Sequence, residues 1–366
     1  MKLSLACAAW ALVVLSHPLD SPPTPLQQLR TAYELDLIPS ATALARTTLA
    51  DPKAEPELRA AAALVLAQSG ALDTARRGCA GDTLVERLAR ARMALEQEDD
   101  PQGVLRLLGA SAPLREPNQR EPTLRDAASA EAWLLCGRAL GRAGALQAAE
   151  PYLLRGLGLD RHHLDAPKAH ALLLSAALER GDTQLAPQRA ETARQVAQWH
   201  ALWKARRLQA LRRPDEPLPR IGLAELWLAV QEPARALEPL EAWLAGGERQ
   251  RSDVRVLALS GECLRRLGQH AAARERLQLA RSMEPLRSET RYFQALVALD
   301  ARDLPLARSE LEAVCADSAA VDGRLLRAHL DLARVLWDMG AQEEARARHA
   351  RYRELGGSEP LTPEQR

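Results

Sequence analysis

The apolar positions of this chain form short amphipathic stripes that come in pairs. Between residues 130 and 163, apolar and small residues recur at spacings of three and four, which places them on one face of a helix. A turn at Gly144 separates that helix from a second one with similar spacing. The two stripes are Trp133, Cys136, Gly137 and Leu140, and then Ala149, Leu153 and Gly156.

Small and large side chains alternate along these stripes. Gly137 and Ala149 allow two helix backbones to approach, whereas Trp133, Leu140 and Leu153 fill the space on either side. Packing of two short helices needs this alternation, because the ridges of one helix fit the grooves of the other. The stretch is therefore predicted to be an antiparallel helical hairpin.

The same pattern returns with a period of 34 residues, most clearly between residues 254 and 287. A repeat of this length predicts hairpins stacked into a solenoid, in which each hairpin buries its apolar face against its neighbours. Weaker copies keep the register through most of the chain. The predicted units span residues 21–54, 56–81, 84–117, 130–163, 167–200, 217–250, 254–287, 288–321 and 326–359.

The repeat resembles the tetratricopeptide repeat family, whose pattern runs W-x2-L-G-x2-Y, then A-x3-F, then P. Trp133, Gly137 and Ala149 match this pattern directly, while Leu140 and Leu153 stand in place of its Tyr and Phe. The resemblance implies an all-α fold, a right-handed α-solenoid of about nine antiparallel helix pairs that forms a TPR-like superhelix. Aromatic residues are scarcer here than in the family pattern, so Leu and Ala are expected to do most of the packing.

Two stretches, residues 112–127 and 211–220, each hold three prolines and interrupt the repeats. Because proline disfavours helix interiors, we expect a long loop at the first stretch and a joint at the second. The predicted organisation is a signal peptide or N-terminal anchor at 1–19, degenerate repeats at 21–117, central repeats at 130–213, C-terminal repeats at 217–359 and a tail at 360–366.

The amino-acid composition supports the helical prediction, and the net charge limits the class of partner. Ala, Leu, Arg and Glu abound, only one Phe and four Tyr occur, and no apolar run alternates at period two, so no sheet is predicted. A net charge of +1 argues against a general polyanion binder, and no nucleic-acid partner is expected. The same bias toward Ala, Arg and Leu is typical of a bacterial host with a GC-rich genome.

The N-terminus has the layout of a secretory signal peptide. Lys2 precedes an uncharged apolar run from Leu3 to Leu15, which Ser16, His17 and Pro18 end. The run is shorter than the roughly 20 residues that a membrane span needs. We expect export to the periplasm or the medium, and the alternatives are an uncleaved membrane anchor and a cytoplasmic protein with a buried first helix.

No phosphate-binding loop, nucleophile elbow or zinc-protease motif occurs, so the chain is predicted not to be an enzyme and to hold no metal and no cofactor. His162 and His163 with Asp165 are interpreted as a solvated turn between repeats. His170 and His329 occupy the position of Trp133 in their units and are interpreted as packing residues.

Two other charged stretches have a plain structural interpretation. The acidic run 96–100 is expected to be a solvated turn at a helix end, since it lacks calcium-loop spacing. The stretch 199–213 mixes tryptophans with basic residues, which a nucleic acid or a lipid surface could use. We favour an extended second helix with Trp199 and Trp203 packed inward and the bases in water.

The five cysteines do not indicate the cellular compartment of the protein, because they form no C-x-x-C pair and are too sparse to stabilise a small domain through disulfides. Cys136 and Cys315 fall on packing positions and are interpreted as small buried hydrophobes, whereas Cys7, Cys79 and Cys263 carry no specific prediction.

If the helices pack as in the family, the first helix of each hairpin lines a groove, and its polar positions would face a partner. Arginines recur at these positions, and their guanidinium groups favour a peptide that carries carboxylates. The alternative is that these charges only keep a polar face in water. The candidates are Arg138, Arg142, Lys168, Arg255, Glu262, Arg265, Arg266, Tyr292, Arg327, Arg334 and Trp337.

The function expected from the sequence is therefore a non-catalytic scaffold for protein interaction, which captures a peptide or protein segment in the groove, and the arginines favour an acidic segment. The alternatives are an assembly or secretion factor tethered to the membrane through residues 1–19 and an enzyme with an unrecognised site. The family's chaperone-tail clamp needs Asn at groove positions, and Asn is absent from them here.

Overall fold

The computed structural model describes residues 24–110, 128–316 and 323–361 of the chain. In these residues the regular secondary structure consists of helices, which turns connect. The chain divides into two compact units: the N-terminal unit comprises Ser21–Ala205, and the C-terminal unit is built on Arg206–Arg366.

The N-terminal unit contains four complete helical hairpins and the start of a fifth. Its helices are α1 (Pro25–Glu34), α2 (Ile38–Ala50), α3 (Pro56–Gln68), α4 (Leu72–Gly78), α5 (Leu84–Glu96), α6 (Pro101–Leu108), α7 (Ala130–Arg142), α8 (Leu146–Leu159), α9 (Ala166–Glu179) and the first part of α10 (Leu185–Arg212).

The C-terminal unit contains four further hairpins and a single-turn helix, α13. Its helices are α11 (Leu218–Ala229), α12 (Pro233–Leu244), α13 (Glu248–Arg251), α14 (Val254–Arg266), α15 (His270–Met283), α16 (Ser288–Asp300), α17 (Leu304–Ala316), α18 (Gly323–Asp338) and α19 (Gln342–Glu354).

The hairpins stack in sequence order within each unit. The first helix of a hairpin contacts the first helix of the next, through α1, α3, α5, α7 and α9 in one unit and through α11, α14, α16 and α18 in the other. These first helices form a continuous layer that is buried on most sides, as in α7, where residues 132–140 are all buried. The nine predicted helix pairs are all found, although α9 and α10 are joined by a turn without packing closely on each other, and the all-α solenoid is confirmed; its handedness stays a prediction.

The repeat needs small residues such as glycine at the positions where its two helices approach each other closely. A β-carbon on Gly137 would lie 2.6 Å from the side chain of Leu153 and 3.2 Å from its backbone nitrogen. Gly261 of α14 is placed in the same way, 2.7 Å from the side chain of Leu277. The alternation of small and large side chains therefore packs the hairpins as predicted.

All nine described hairpins turn through one residue in the left-handed conformation. The following amide donates back to the end of the first helix, as when the Ala145 N–H donates to the Leu140 carbonyl at 2.9 Å. Glycine at the turn was predicted and is found in five hairpins, but other residues adopt the same conformation in four. The turn residues are Gly70, Gly144, Gly181, Gly268 and Gly340, and then Asp36, Asp99, Gln231 and Arg302.

Local capping fixes the starts of α5 and α7, the helices that carry the charged cluster described below. Thr83 and Glu86 form a capping box in which each side chain accepts a hydrogen bond from the other residue's backbone N–H. At α7, the Ser129 hydroxyl accepts a hydrogen bond from the Ala132 N–H at 3.2 Å.

Helix α10 departs from the repeat because it continues for 28 residues, about twice the length of α8. It buries only Ala186 and His200, and the other described helices pack loosely against it. It ends at Arg212, and α11 begins at Leu218, so the proline-rich stretch 211–220 holds a helix end and a turn.

Some predictions fall on residues outside the described part of the chain, namely the signal peptide or anchor at 1–19 and the loop at 112–127. Within the described residues, none of the helices has the length and apolar character that crossing a membrane requires.

Candidate functional site

Three helices of the N-terminal unit bring together a buried ion cluster. Asp165, the residue before α9, is only 1% exposed and lies between two buried guanidinium groups. Its Oδ2 accepts a hydrogen bond from Arg92 of α5 at 2.7 Å, and its Oδ1 accepts one from Arg138 of α7 at 2.7 Å. The carboxylate therefore ties three consecutive first helices together.

Glu96, at the end of α5, is the second anion of the cluster. Its carboxylate accepts hydrogen bonds from Arg138 at 3.0 Å, from Lys168 Nζ at 3.2 Å and from the Tyr33 hydroxyl at 3.2 Å. Glu131 completes the cluster by accepting a hydrogen bond from Arg92 at 2.7 Å. Each buried charge thus has at least one opposite charge within hydrogen-bonding distance.

The pKa values of the cluster follow from competition between burial and charge. Burial acts to raise the pKa of the Asp165 carboxyl, but Arg92 and Arg138 outweigh it and hold that pKa well below the ordinary range. For Glu96, burial likewise acts to raise the pKa, and the charges of Arg92, Lys168 and Arg138 together lower it. Both carboxyl groups are therefore ionised at neutral pH.

A cleft opens over this cluster, between α7 and α9, with a volume of about 490 Å³. Arg138 and Glu96 lie at its buried side, while the side chains of Arg142 and Lys168 are 44% and 58% exposed. We call it the α7–α9 cleft. Its lining residues are Glu96, Arg138, Gly141, Arg142, Lys168, Ala171 and Leu172.

Three of the predicted groove residues, Arg138, Arg142 and Lys168, thus meet in one cleft, but they differ in availability. Arg138 is committed to Asp165 and Glu96, whereas the Lys168 side chain is mostly exposed, although its ammonium group also donates to Glu96. Arg142 donates to the Leu95 carbonyl and pairs with the exposed Asp99 at 3.1 Å. Arg142 and Lys168, whose side chains are 44% and 58% exposed, are therefore the cations of the cleft that another molecule could reach.

Two sequence interpretations are wrong here. Asp165 was expected in a solvated turn, and it is instead the most buried carboxylate of the cluster. Glu96 was also placed in a solvated turn, yet its side chain is only 17% exposed and accepts three hydrogen bonds. No local signal could have revealed either role, because Arg92 is 73 residues from Asp165 and meets it only through the stacking of hairpins.

In the C-terminal unit, the predicted groove residues of α14 form a second ion group. Glu262 is 2% exposed and accepts hydrogen bonds from the Nε atoms of Arg265 at 2.7 Å and Arg266 at 2.6 Å. Arg265 also donates to Asp300 at 2.8 Å, and Arg255 is exposed. The Glu262 carboxylate is therefore occupied by neighbours within its own layer.

The other C-terminal candidates also have intramolecular contacts. Tyr292 is 4% exposed, and its hydroxyl donates to Asp331 at 2.8 Å. Trp337 is half-buried, with the Arg346 guanidinium 5.9 Å from its ring centroid. Arg327 and Arg334 both contact Glu359, which follows the last helix.

Stretch 199–213 was interpreted as part of an extended second helix, and helix α10 agrees with that interpretation through residue 212. Trp199 and Trp203 are half-buried, and His200 between them is 6% exposed. Burial, reinforced by the neighbouring positive groups, lowers the pKa of His200 to about 4. The packing interpretation of the other two histidines is also confirmed, since His170 is half-buried and His329 is buried.

Cys136 is buried and Cys315 is half-buried, and both thiols are free. Burial raises the pKa of the Cys136 thiol to about 12, which makes it a poor nucleophile at neutral pH. Among the described residues, no group of three or more His, Cys, Asp or Glu side chains is arranged to hold a metal ion.

No protein-family model matches this chain, and no curated protein matches it. Solved structures do match, at low similarity. Pseudomonas aeruginosa PilF is 17% identical, with a TM-score of 0.32 over 64% of this chain and 95% of that one. The apo form of RapI is 10% identical, with a TM-score of 0.34 over 90% and 96%. Human IFIT1, in a dimer with m7Gppp-AAAA, is 16% identical, with a TM-score of 0.33 over 87% and 72%.

Similarity at this level gives no information about the chemistry of this protein or about its binding partner. The class of protein follows from the chain's own helices: it is an all-helical protein built from repeated hairpins of tetratricopeptide-like form.

Proposed function

We propose that this chain is a non-catalytic interaction scaffold, a divergent member of the tetratricopeptide repeat family, and that its α7–α9 cleft binds an acidic peptide segment. The observation that carries the proposal is the pair of exposed cations, Arg142 and Lys168, above a buried and fully paired ion cluster. The cluster fixes the cleft wall, so a ligand does not have to order it.

The charge of the cleft favours a carboxylate ligand. Its lining holds three cations and one anion. Because Asp165 offsets the charge of Arg138, the two other cations against Glu96 leave an excess of one positive charge, and Glu96 is already bonded to Arg138 and Lys168. The pair between Arg142 and the 79% exposed Asp99 is a surface ion pair, worth at most about 1 kcal/mol. A ligand carboxylate can therefore replace Asp99 at little cost.

The apolar side of the cleft suits a small or apolar side chain next to the acidic one. Gly141 leaves room for Leu172, whose Cδ2 would lie 2.8 Å from a β-carbon at that position. Ala171 adds a second small wall residue. The ligand that fits best is an extended segment in which acidic residues alternate with small apolar ones.

Charge reversal at the two exposed cations tests this proposal. The probe is a fluorescein-labelled peptide of alternating Glu and Ala, whose binding is followed by fluorescence anisotropy. Arg142→Glu with Lys168→Glu is expected to weaken binding by at least about tenfold, because each lost charge-assisted hydrogen bond is worth about 1.5–3 kcal/mol. The matched control is Lys53→Glu with Arg155→Glu, two exposed cations of the same unit away from the cleft.

Three results would count against the proposal. Equal losses in the two double variants would mean that the peptide senses only net charge. Undiminished binding in the cleft variant would place the peptide elsewhere. Tighter binding of a labelled oligoadenylate RNA than of the peptide, lost in the cleft variant, would make the partner a nucleic acid.

Export through residues 1–19 is a separate proposal, based on the apolar run that follows Lys2. Mass spectrometry of the mature protein from its native host would show cleavage near Ser16 if the chain is exported. Retention of the segment in a membrane fraction would favour the alternative, a tethered assembly or secretion factor, and an intact N-terminus in the soluble fraction of the cytoplasm would contradict both.

A further inference from the structure

The chain reverses direction directly after its last described helix. At the end of α19, the Gly356 N–H donates to the Arg353 carbonyl and the Gly357 N–H to the Tyr352 carbonyl, both at 3.0 Å. Gly356 has a φ of +96°, which other residues rarely adopt. A β-carbon on Gly357 would overlap the Tyr352 ring, so glycine is needed there for the chain to pass.

The segment after this turn, residues 358–361, lies against the last hairpin, and Glu359 makes most of its polar contacts. Its carboxylate pairs with Arg327 at 3.3 Å and with Arg334 at 3.4 Å. Its carbonyl lies 2.9 Å from His349 Nε2, and its N–H donates to the Tyr352 hydroxyl at 3.4 Å. Both arginines come from α18, and the other two residues come from α19.

The rest of the segment is held by its backbone and by one apolar side chain. Arg334 donates to the Pro360 carbonyl at 3.2 Å and to the Leu361 carbonyl at 3.4 Å. Leu361 is only 3% exposed, although it lies beyond the last described helix. The segment therefore has the contacts of a bound extended peptide: an acidic side chain, backbone carbonyls and a buried leucine two residues later.

We propose that the surface formed by Arg327, Arg334, His349 and Tyr352 is a second peptide-binding site, and that residues 358–361 occupy it as a displaceable internal ligand. The external partner that fits is an extended segment with a carboxylate side chain two residues before a leucine. This inference is independent of the α7–α9 cleft, which lies in the other unit.

Displacement is feasible because most contacts of the segment are long and partly solvated. The four hydrogen bonds from Arg327 and Arg334 are 3.2–3.4 Å long, and the side chains of Arg327 and Glu359 are 54% and 36% exposed. The internal segment still has an advantage over a free peptide, since tethering gives it an effective concentration on the order of millimolar.

The test uses the full chain and a fluorescein-labelled peptide copy of residues 355–363 as the probe. Glu359→Ala with Leu361→Ala is expected to bind the peptide at least about tenfold more tightly than the unmodified chain, because the tethered competitor is lost. Ser358→Ala, which changes an exposed residue of the same segment, is the matched control and should bind like the unmodified chain. Adding Arg334→Ala to the double variant should abolish the gain.

A second variant should free the same binding surface from residues 358–361 without altering the side chains that bind there. Gly357→Ala forces the chain away from the Tyr352 ring and should also raise peptide affinity. Equal peptide affinity in all folded variants would overturn the proposal. Loss of folding in both tail variants would also overturn it, because the segment would then be an integral part of the hairpin. A dimer that dissociates in the double variant would overturn it as well, because the segment would then bind a second copy of the chain.

Discussion

Replacing Asp165 with asparagine isolates the contribution of the buried ion cluster. The change keeps the shape of the side chain but removes the charge that faces Arg92 and Arg138, whose side chains are 5% and 6% exposed. Both guanidinium groups then remain buried beside a neutral amide. Removing one partner of a buried ion pair costs about 3–5 kcal/mol when the remaining charge is left uncompensated. Arg92 keeps Glu131 and Arg138 keeps Glu96, so the cost is expected toward the lower end of that range.

The magnitude is large against the roughly 5–15 kcal/mol that stabilises an ordinary domain. We expect Asp165→Asn to lose about 3 kcal/mol or more of unfolding free energy in urea denaturation followed by circular dichroism. Hydrogen exchange should localise the loss to α5, α7 and α9, because repeat units unfold in part and each contacts only its neighbours. The control is Asp99→Asn, which breaks the exposed pair with Arg142 and should cost less than about 1 kcal/mol.

The dependence of stability on acidic pH is a second measurement that tests the same prediction. Because the folded-state pKa values of Asp165 and Glu96 are lowered, their stabilisation is complete above the ordinary carboxyl pKa of about 4 and is lost as pH falls below it. The Asp165→Asn chain should therefore show a shallower loss of stability below pH 4 than the unmodified chain. A cost under 1 kcal/mol together with an unchanged acid profile would refute the view that the cluster is stabilised by charge.

The remaining predictions concern packing, turn geometry and one histidine. Gly137→Ala should destabilise the chain by about 1–3 kcal/mol through overlap with Leu153, whereas Gly158→Ala, with open space around it, should stabilise it by about 0.5–1 kcal/mol; thermal melting compares them. Gln231→Gly should raise stability by about 1 kcal/mol in urea, because Gln231 holds a φ of +63° that glycine adopts freely; no gain would mean that this turn is unstrained. The lowered pKa of His200 makes stability fall as pH drops from 6.5 to about 4, since the unfolded chain binds the proton first. His200→Phe should flatten that part of the pH profile, and an unchanged profile would assign the effect to other groups.

The hairpins were predictable because their cause is local. Spacings of three and four decide which face of a helix is apolar, and a small residue such as Gly137 marks where two helices meet. The turn is also local, although Gln231 and Arg302 show that its left-handed residue does not have to be glycine. Residues that follow these rules, such as Ala149, Leu153 and Leu277, are buried as expected.

The candidate sites were predictable only in part. The sequence pointed to Arg138, Arg142 and Lys168 as groove residues, and the structure brings them to one cleft. It did not indicate that Arg138 would be buried by Asp165, because the pairing joins residues of different hairpins. Neither did it indicate the contact of Glu359 with Arg334, since nothing local shows that the chain turns back after α19.

The sequence by itself determined the helices, their pairing and their order, because these depend on contacts within a few turns of the chain. Only the tertiary structure decided which charges are buried and paired and which remain exposed. The physical reason is that the solvation of an ionised side chain depends on every helix packed around it. Asp165 and Asp99 carry the same carboxylate, and stacking leaves one of them 1% and the other 79% exposed.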